Sequence, residues 1–207
     1  MREASKQLIH EVLPVGWLQC NCHIVGDPET REALVLDPGD EVERVLEILR
    51  RHHLRVKYIV STHAHIDHVG GLARLKQATG APVLMHPDDL WLYRNVGMQA
   101  AMIGLPAPPV TEVDQTLRAG DRLRWGQQFD AQVLHTPGHS PGSLSLYLPE
   151  PKKMLFAGDT LFAGSIGRTD LWGGSFDQIL RSIHSQLLAL DDATVVYPGH
   201  GPETTLA

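Results

Sequence analysis

The sequence predicts an α/β fold in which two β-sheets pack together with helices on their outer faces. Three observations carry that reading. Short apolar segments have strand character, amphipathic stripes of helical period lie between them, and both halves of the chain follow one order. That order is strands, then a strand-end loop bearing histidine, then a helix. At 207 residues, 43% hydrophobic and 20% charged, the chain suits one globular domain spanning residues 1–207.

Strands are expected at Leu8–Val15, Cys22–Gly26 and Ala33–Leu36, with turn chemistry in Asp27-Pro28-Glu29-Thr30. A helix follows Asp37-Pro38-Gly39-Asp40, because Val42, Val45, Leu46 and Leu49 recur at three- and four-residue spacing. Its last turn, Arg50-Arg51-His52-His53, places cationic and neutral donors where the helix dipole favours them, so both histidines read as solvated. Lys57–Ser61 is the next strand, Val69–Thr79 a helix ended by Gly80, and Pro82–Met85 another strand. His86-Pro87-Asp88-Asp89 caps a helical region reaching Met102, and the proline-rich run from Gly104 to Pro109 reads as a connector. Strands return at Arg122–Trp125, Ala131–His135, Ser143–Leu148 and Lys153–Ala157. Ser175 is a good N-cap for a helix burying Ile179, Leu180, Ile183 and Leu187, and Thr194–Tyr197 is the last strand.

The densest chemistry lies in Ser61-Thr62-His63-Ala64-His65-Ile66-Asp67-His68-Val69-Gly70-Gly71, a loop leaving the strand that ends in Tyr58-Ile59-Val60. Imidazole and carboxylate groups at this density suit zinc, iron or manganese. Three further loops place one such donor after an apolar strand beside glycine: Thr136-Pro137-Gly138-His139, Ala157-Gly158-Asp159 and Gly199-His200-Gly201. Four strand ends can converge at one sheet edge, which assembles His63, His65, Asp67, His68, His139, Asp159 and His200. Seven donors exceed what one zinc takes, and they divide well between two ions. One set is His63, His65 and His139; the other is Asp67, His68 and His200; Asp159 bridges them.

The remaining candidates read as structural. Cys20 and Cys22 are small residues near a strand start, too close in sequence for an unstrained disulfide. His135 is a packing or supporting group, His86 a cap, and His10, His23 and His184 are structural or exposed. A net charge of −6 with scattered Lys and Arg argues against nucleic acid as a partner. No apolar run approaches the ~20 residues that span a bilayer, and Met1–Lys6 leads into no signal-type apolar segment, so no membrane association and a cytoplasmic location are expected.

The strings THAHIDHVGG, TPGHSPG, FAGDTLF and YPGHG, at these spacings, resemble the metallo-β-lactamase fold hydrolases, and most of all their glyoxalase II (hydroxyacylglutathione hydrolase) branch. The resemblance runs from about residue 8 to the C-terminus. It implies a four-layer αβ/βα sandwich of two mixed sheets and a dinuclear site with the donors assigned as above. It also implies two divalent cations, zinc first with iron or manganese as alternatives. The segment Leu161–Asp170 resembles short, single-domain members of that branch, and Arg168 within it is a candidate contact to an anionic substrate or half of a salt bridge. The chain ends seven residues beyond His200, so the C-terminal helical domain that supplies glutathione contacts in full-length glyoxalase II is expected to be absent.

The implied reaction is hydrolysis of a small-molecule thioester of the S-lactoylglutathione type, by a hydroxide held between two cations and oriented by Asp67. A thiolate, of conjugate-acid pKa ~8.5, leaves without a strong general acid, and no Gly-x-Ser-x-Gly elbow is present. The rival is a mononuclear iron persulfide dioxygenase acting on glutathione persulfide. It would hold its metal on His63, His139 and Asp159.

Overall fold

The apolar runs assemble into two six-stranded mixed sheets in the computed structural model, which describes residues 8–207. Met1–Lys6, expected to carry no signal segment, lies outside the described residues. The first sheet takes β1 (Ile9–Val15), β2 (Cys20–Gly26), β3 (Glu32–Leu36), β4 (Arg55–Val60), β5 (Val83–Met85) and β6 (Gln115–Thr116) in chain order. Its first three strands form an antiparallel meander, and β3 to β6 run parallel. The second half supplies β7 (Arg122–Trp125), β8 (Phe129–His135), β9 (Leu144–Leu148) and β10 (Met154–Gly158). A hairpin of β11 (Leu161–Phe162) and β12 (Ser165–Ile166) leads on to β13 (Val195–Pro198) and β14 (Thr204–Thr205). The spatial order of the second sheet is β14-β13-β10-β9-β8-β7. Because β9 is antiparallel to both β8 and β10, and β13 is parallel to β10, the chain leaves β8, β10 and β13 at one edge.

Alternation along these strands makes three apolar layers. Between the sheets, Val25, Leu34, Leu36, Val60 and Leu84 meet Trp125, Phe129, Val133, Leu146 and Phe156. Outside the first sheet, Ile24, Val35 and Ile59 carry α1 (Val42–Arg51), α3 (Leu72–Thr79), α4 (Leu90–Arg94) and the start of α5 (Val96–Met102). Outside the second, Leu134, Leu155 and Val196 carry Ile179, Ile183 and Leu187 from α6 (Phe176–Ser182) and the π-turn after it. This is the four-layer sandwich expected from the sequence.

The differences are local. In α1 the buried stripe takes Ile48, and Leu46 is only partly covered; the two flank the stripe on opposite sides, and the sheet contact falls on the Ile48 side. The helix expected over Val69–Thr79 is two helices, α2 (Ile66–Val69) and α3, so the second half of the histidine loop is helical. The break has a steric cause. The Pro38–Gly39 backbone crosses the junction so closely that a Cβ on Gly71 would lie 2.2 Å from the Pro38 carbonyl, and one on Gly39 only 1.5 Å from that of Asp67. Cys20 and Cys22 both lie within β2, fully buried and unpaired with each other.

Candidate metal centre

Each donor reaches the site from the carboxyl end of a strand. β4 delivers His63 and His65 directly and Asp67 and His68 through α2; β8 delivers His139, β10 Asp159 and β13 His200. Parallel strands of both sheets end here, which is where open α/β sheets present ligand sites.

All seven residues singled out in the sequence are brought together. His139 Nε2 stands 2.8 Å from His65 Nδ1 and 3.1 Å from His63 Nε2. His200 Nε2 stands 3.1 Å from Asp67 Oδ2 and 3.3 Å from His68 Nε2. Asp159 lies between the two groups, with Oδ2 3.5 Å from His139 Nε2 and 3.6 Å from His200 Nε2. Its Oδ1 is buried without a hydrogen bond, His68 Nε2 being 3.4 Å away.

Three imidazole nitrogens turned towards one point cannot all satisfy one another, and an unpartnered buried carboxylate oxygen beside them is costly. Divalent metal held among these groups would relieve both costs, so the donor set fits the metals that the sequence implies. The ring nitrogens facing away are held. His63 Nδ1 meets Thr62 Oγ1 at 3.1 Å, His68 Nδ1 meets Asp37 Oδ2 at 3.0 Å, and His139 Nδ1 donates to the Arg168 carbonyl at 2.8 Å. His200 Nδ1 donates to the Leu18 carbonyl at 3.0 Å. Such outer contacts fix tautomer and aim.

Electrostatics divide the cluster in the same way. Burial, reinforced by His139, lowers His65 to about 3; burial with His68 and His139 holds His63 far below the ordinary imidazole range. Both shifts favour the neutral imidazole that metal ligation uses. Burial opposes a charge on His68, but Cys20, Asp67, Asp159 and Asp37 raise it well above the ordinary value. Asp67 and Asp159 are held ionised against burial, chiefly by His68.

Sequence reasoning passed over the groups that lock these loops. Asp37 accepts from Thr62 N and Thr62 Oγ1, each at 2.7 Å, as well as facing His68. Asp89, fully buried, accepts from Ala64 N at 2.9 Å, Ser140 Oγ at 2.7 Å and Gly142 N at 2.6 Å, and so ties the β4 loop to the β8 loop. Gln99 accepts from Ile66 N at 2.9 Å and donates to the carbonyls of Ala64 and Leu92. Their partners are far off in sequence, so no local motif marks them. Asp37 stood only in a turn and Asp89 only in a cap.

Among the other histidines, His52, expected to be solvated, is partly buried with Nε2 against Glu11 Oε1. His86 caps the turn after β5 by accepting from Asp88 N, and His135 stacks on it while donating to the Pro141 carbonyl. His23 is buried against His10, Phe156 and Tyr197, and His184 is exposed. Arg168 and Asp170 pair through Nε–Oδ1 at 2.7 Å and Nη2–Oδ2 at 2.9 Å.

A cavity of about 520 Å³ opens over the cluster, lined by His65, Asp67, His139, Asp159 and His200, by Arg168 and Asp170, and by apolar side chains. Among the described residues, no helix is long and apolar enough to cross a membrane.

Comparison with known proteins agrees with the architecture. The model of the Metallo-beta-lactamase superfamily matches residues 15–200. Hydroxyacylglutathione hydrolase GloC of Haemophilus influenzae is 35% identical over 95% of this chain and 92% of its own. Among solved structures, BLEG-1 B3 metallo-beta-lactamase superposes with a TM-score of 0.85 at 36% identity, covering 96% of this chain and 94% of the other. TTHA1623, in a di-iron-bound form, superposes with a TM-score of 0.84 at 43% identity, covering 95% and 94%.

Proposed function

This chain belongs to the metallo-beta-lactamase superfamily, and from that premise we propose that it is a dinuclear metal-dependent hydrolase of thioesters. The observation that carries the reading is the convergence of seven buried or partly buried donors, with Asp159 Oδ2 3.5 Å from His139 Nε2 and 3.6 Å from His200 Nε2. One cation would rest on His63, His65 and His139, the other on Asp67, His68 and His200, with Asp159 between them. When bound, such a pair makes water acidic enough to act as a nucleophile near neutral pH and polarises a carbonyl oxygen. The di-iron form of a 43% identical protein supports two ions and makes iron a candidate beside zinc and manganese.

The chain's own residues do the rest. Asp67 lines the cavity and is held ionised, so it orients the attacking water through its carboxylate. Water adds to the thioester carbonyl carbon and the C–S bond breaks, giving acid and thiol. The thiolate leaves unassisted. Neither cysteine can be the nucleophile. Both are fully buried, and burial pushes the Cys20 thiol up to about 12 and Cys22 well above its usual value. The thioester class is supported by the hydroxyacylglutathione hydrolase relative, and S-lactoylglutathione is the reference substrate.

The assay is thiol release from S-lactoylglutathione under anaerobic conditions by protein of known metal content. Turnover without oxygen, abolished by a chelator and restored by metal, is expected. One iron per chain with rapid oxygen uptake on glutathione persulfide, and no thioester turnover, would replace this reading with the dioxygenase.

A further inference from the structure

The wall of the cavity is unlike a receptor for a peptide carrying carboxylates. Leu18, Ile66, Met102, Ile103, Leu171 and Trp172 line it, drawn from the β1–β2 turn, α2, the end of α5 and the segment before α6. Several stay open to solvent: Met102 is 67%, Leu18 44% and Ile103 42% exposed. Apolar surface kept uncovered at the mouth of a polar site is where an apolar ligand gains most.

The lining's amide and guanidinium, the groups suited to grip an anionic arm, are already engaged. Gln99, the one amide of the lining among the described residues, uses both ends on Ile66, Ala64 and Leu92. Arg168, the one Lys or Arg of the lining among the described residues, has its fork occupied by Asp170. Asp67 and Asp159 belong to the metal-ligand set, so Asp170 is the lining carboxylate left outside it, and it is the one that takes the Arg168 fork.

We propose that this cavity selects thioesters with an apolar acyl chain, and that Asp170 excludes anionic arms by occupying the guanidinium of Arg168. The proposal rests on the thioester reading above and narrows its substrate from the hydroxyacyl reference. Asp170 is a specificity residue in it, acting through Arg168.

The test crosses two acyl groups with two thiols: lactoyl and hexanoyl thioesters of glutathione and of uncharged N-acetylcysteamine, on zinc-loaded protein. With either thiol, hexanoyl should exceed lactoyl in kcat/KM by at least about tenfold, the scale expected for several methylenes entering an apolar pocket. Glutathione should confer no advantage over N-acetylcysteamine. Ile103→Glu, at an exposed position that folding does not need, should cut the hexanoyl preference to within about threefold. Asp170→Asn should raise kcat/KM for the glutathione pair about two- to fivefold, the size of an exposed ion pair, with no matching gain for the N-acetylcysteamine pair. A lactoyl preference, or a tenfold gain from glutathione in the unaltered protein, overturns the proposal.

If none of the four thioesters turns over, the thioesterase reading fails, and the cavity is judged by binding instead. Tryptophan fluorescence, with Trp172 in the wall and Trp91 beside it, should then report tighter binding of S-hexyl- than of S-methyl-N-acetylcysteamine. Equal binding of the two thioethers counts against the apolar pocket.

Discussion

Asp89 and His23 show how single buried polar groups govern this protein. Asp89 takes three hydrogen bonds from two loops distant in the chain, one at Ala64 and the other at Ser140 and Gly142. Asp89→Asn turns one acceptor oxygen into a donor facing a donor. It should cost about 1–3 kcal/mol in urea unfolding, with weakened metal retention on the His65–His139 side. His23 is buried without a partner on Nε2, and burial with its neighbour His10 lowers it to about 3; burial, then Lys152, lowers His10 to about 4. A folded-state pKa below the unfolded 6.5 means that the unfolded chain takes up the proton first. The stability of the neutral pair is therefore complete above pH ~6.5 and is lost as pH falls towards 4. Between pH 7.5 and 5, metal-free protein should lose about 2 kcal/mol through His23 alone, besides what His10, His63 and His65 add, and His23→Phe should remove that share of the slope. An unchanged slope in the variant would show that the acid sensitivity lies elsewhere. None of this is legible locally, because burial and a partner dozens of residues away give a histidine or aspartate its role.

The histidine loop is a strand end, a short loop and a helical turn, and its shape depends on a glycine in a different segment. Gly39→Ala would drive a methyl into the Asp67 carbonyl, and backbone cannot yield as a side-chain tip can. The substitution should cost at least about 2 kcal/mol in thermal or urea unfolding, and metal should be lost first from the group holding Asp67. Stability and metal content like those of the parent would mean that the crossing relaxes freely. Most elements were readable. Apolar alternation gave β7 to the residue, and stripes at helical spacing gave the places of α1 and α6. Leu180, expected in the buried stripe, is only partly buried, and Ile183 and Leu187 fall in the π-turn beyond α6. The two-residue strands β6, β11, β12 and β14 are too short to carry one. The α2–α3 break was hidden because its cause is the Pro38–Gly39 crossing rather than anything within the helix.

Two sheets, each ending parallel strands at a common edge, explain why donors spaced from position 63 to position 200 meet. The site was more legible than its surroundings, because a metal centre demands particular side chains and glycine-flanked strand ends, and these leave a trace in sequence. The cavity wall makes no such demand: leucine, isoleucine, methionine and tryptophan are ordinary residues until the fold places them together. Arg168, read in sequence as substrate contact or ion pair, sits in that wall paired to Asp170. Division of His63, His65, Asp67 and His68 between two cations is the central claim, and metal stoichiometry tests it most directly. Metal-free protein titrated with zinc in a calorimeter, at neutral pH, should bind two equivalents. His65→Ala and His200→Ala, each from a different group, should each retain one. A single equivalent in the unaltered protein, or loss of all binding in both variants, would contradict it.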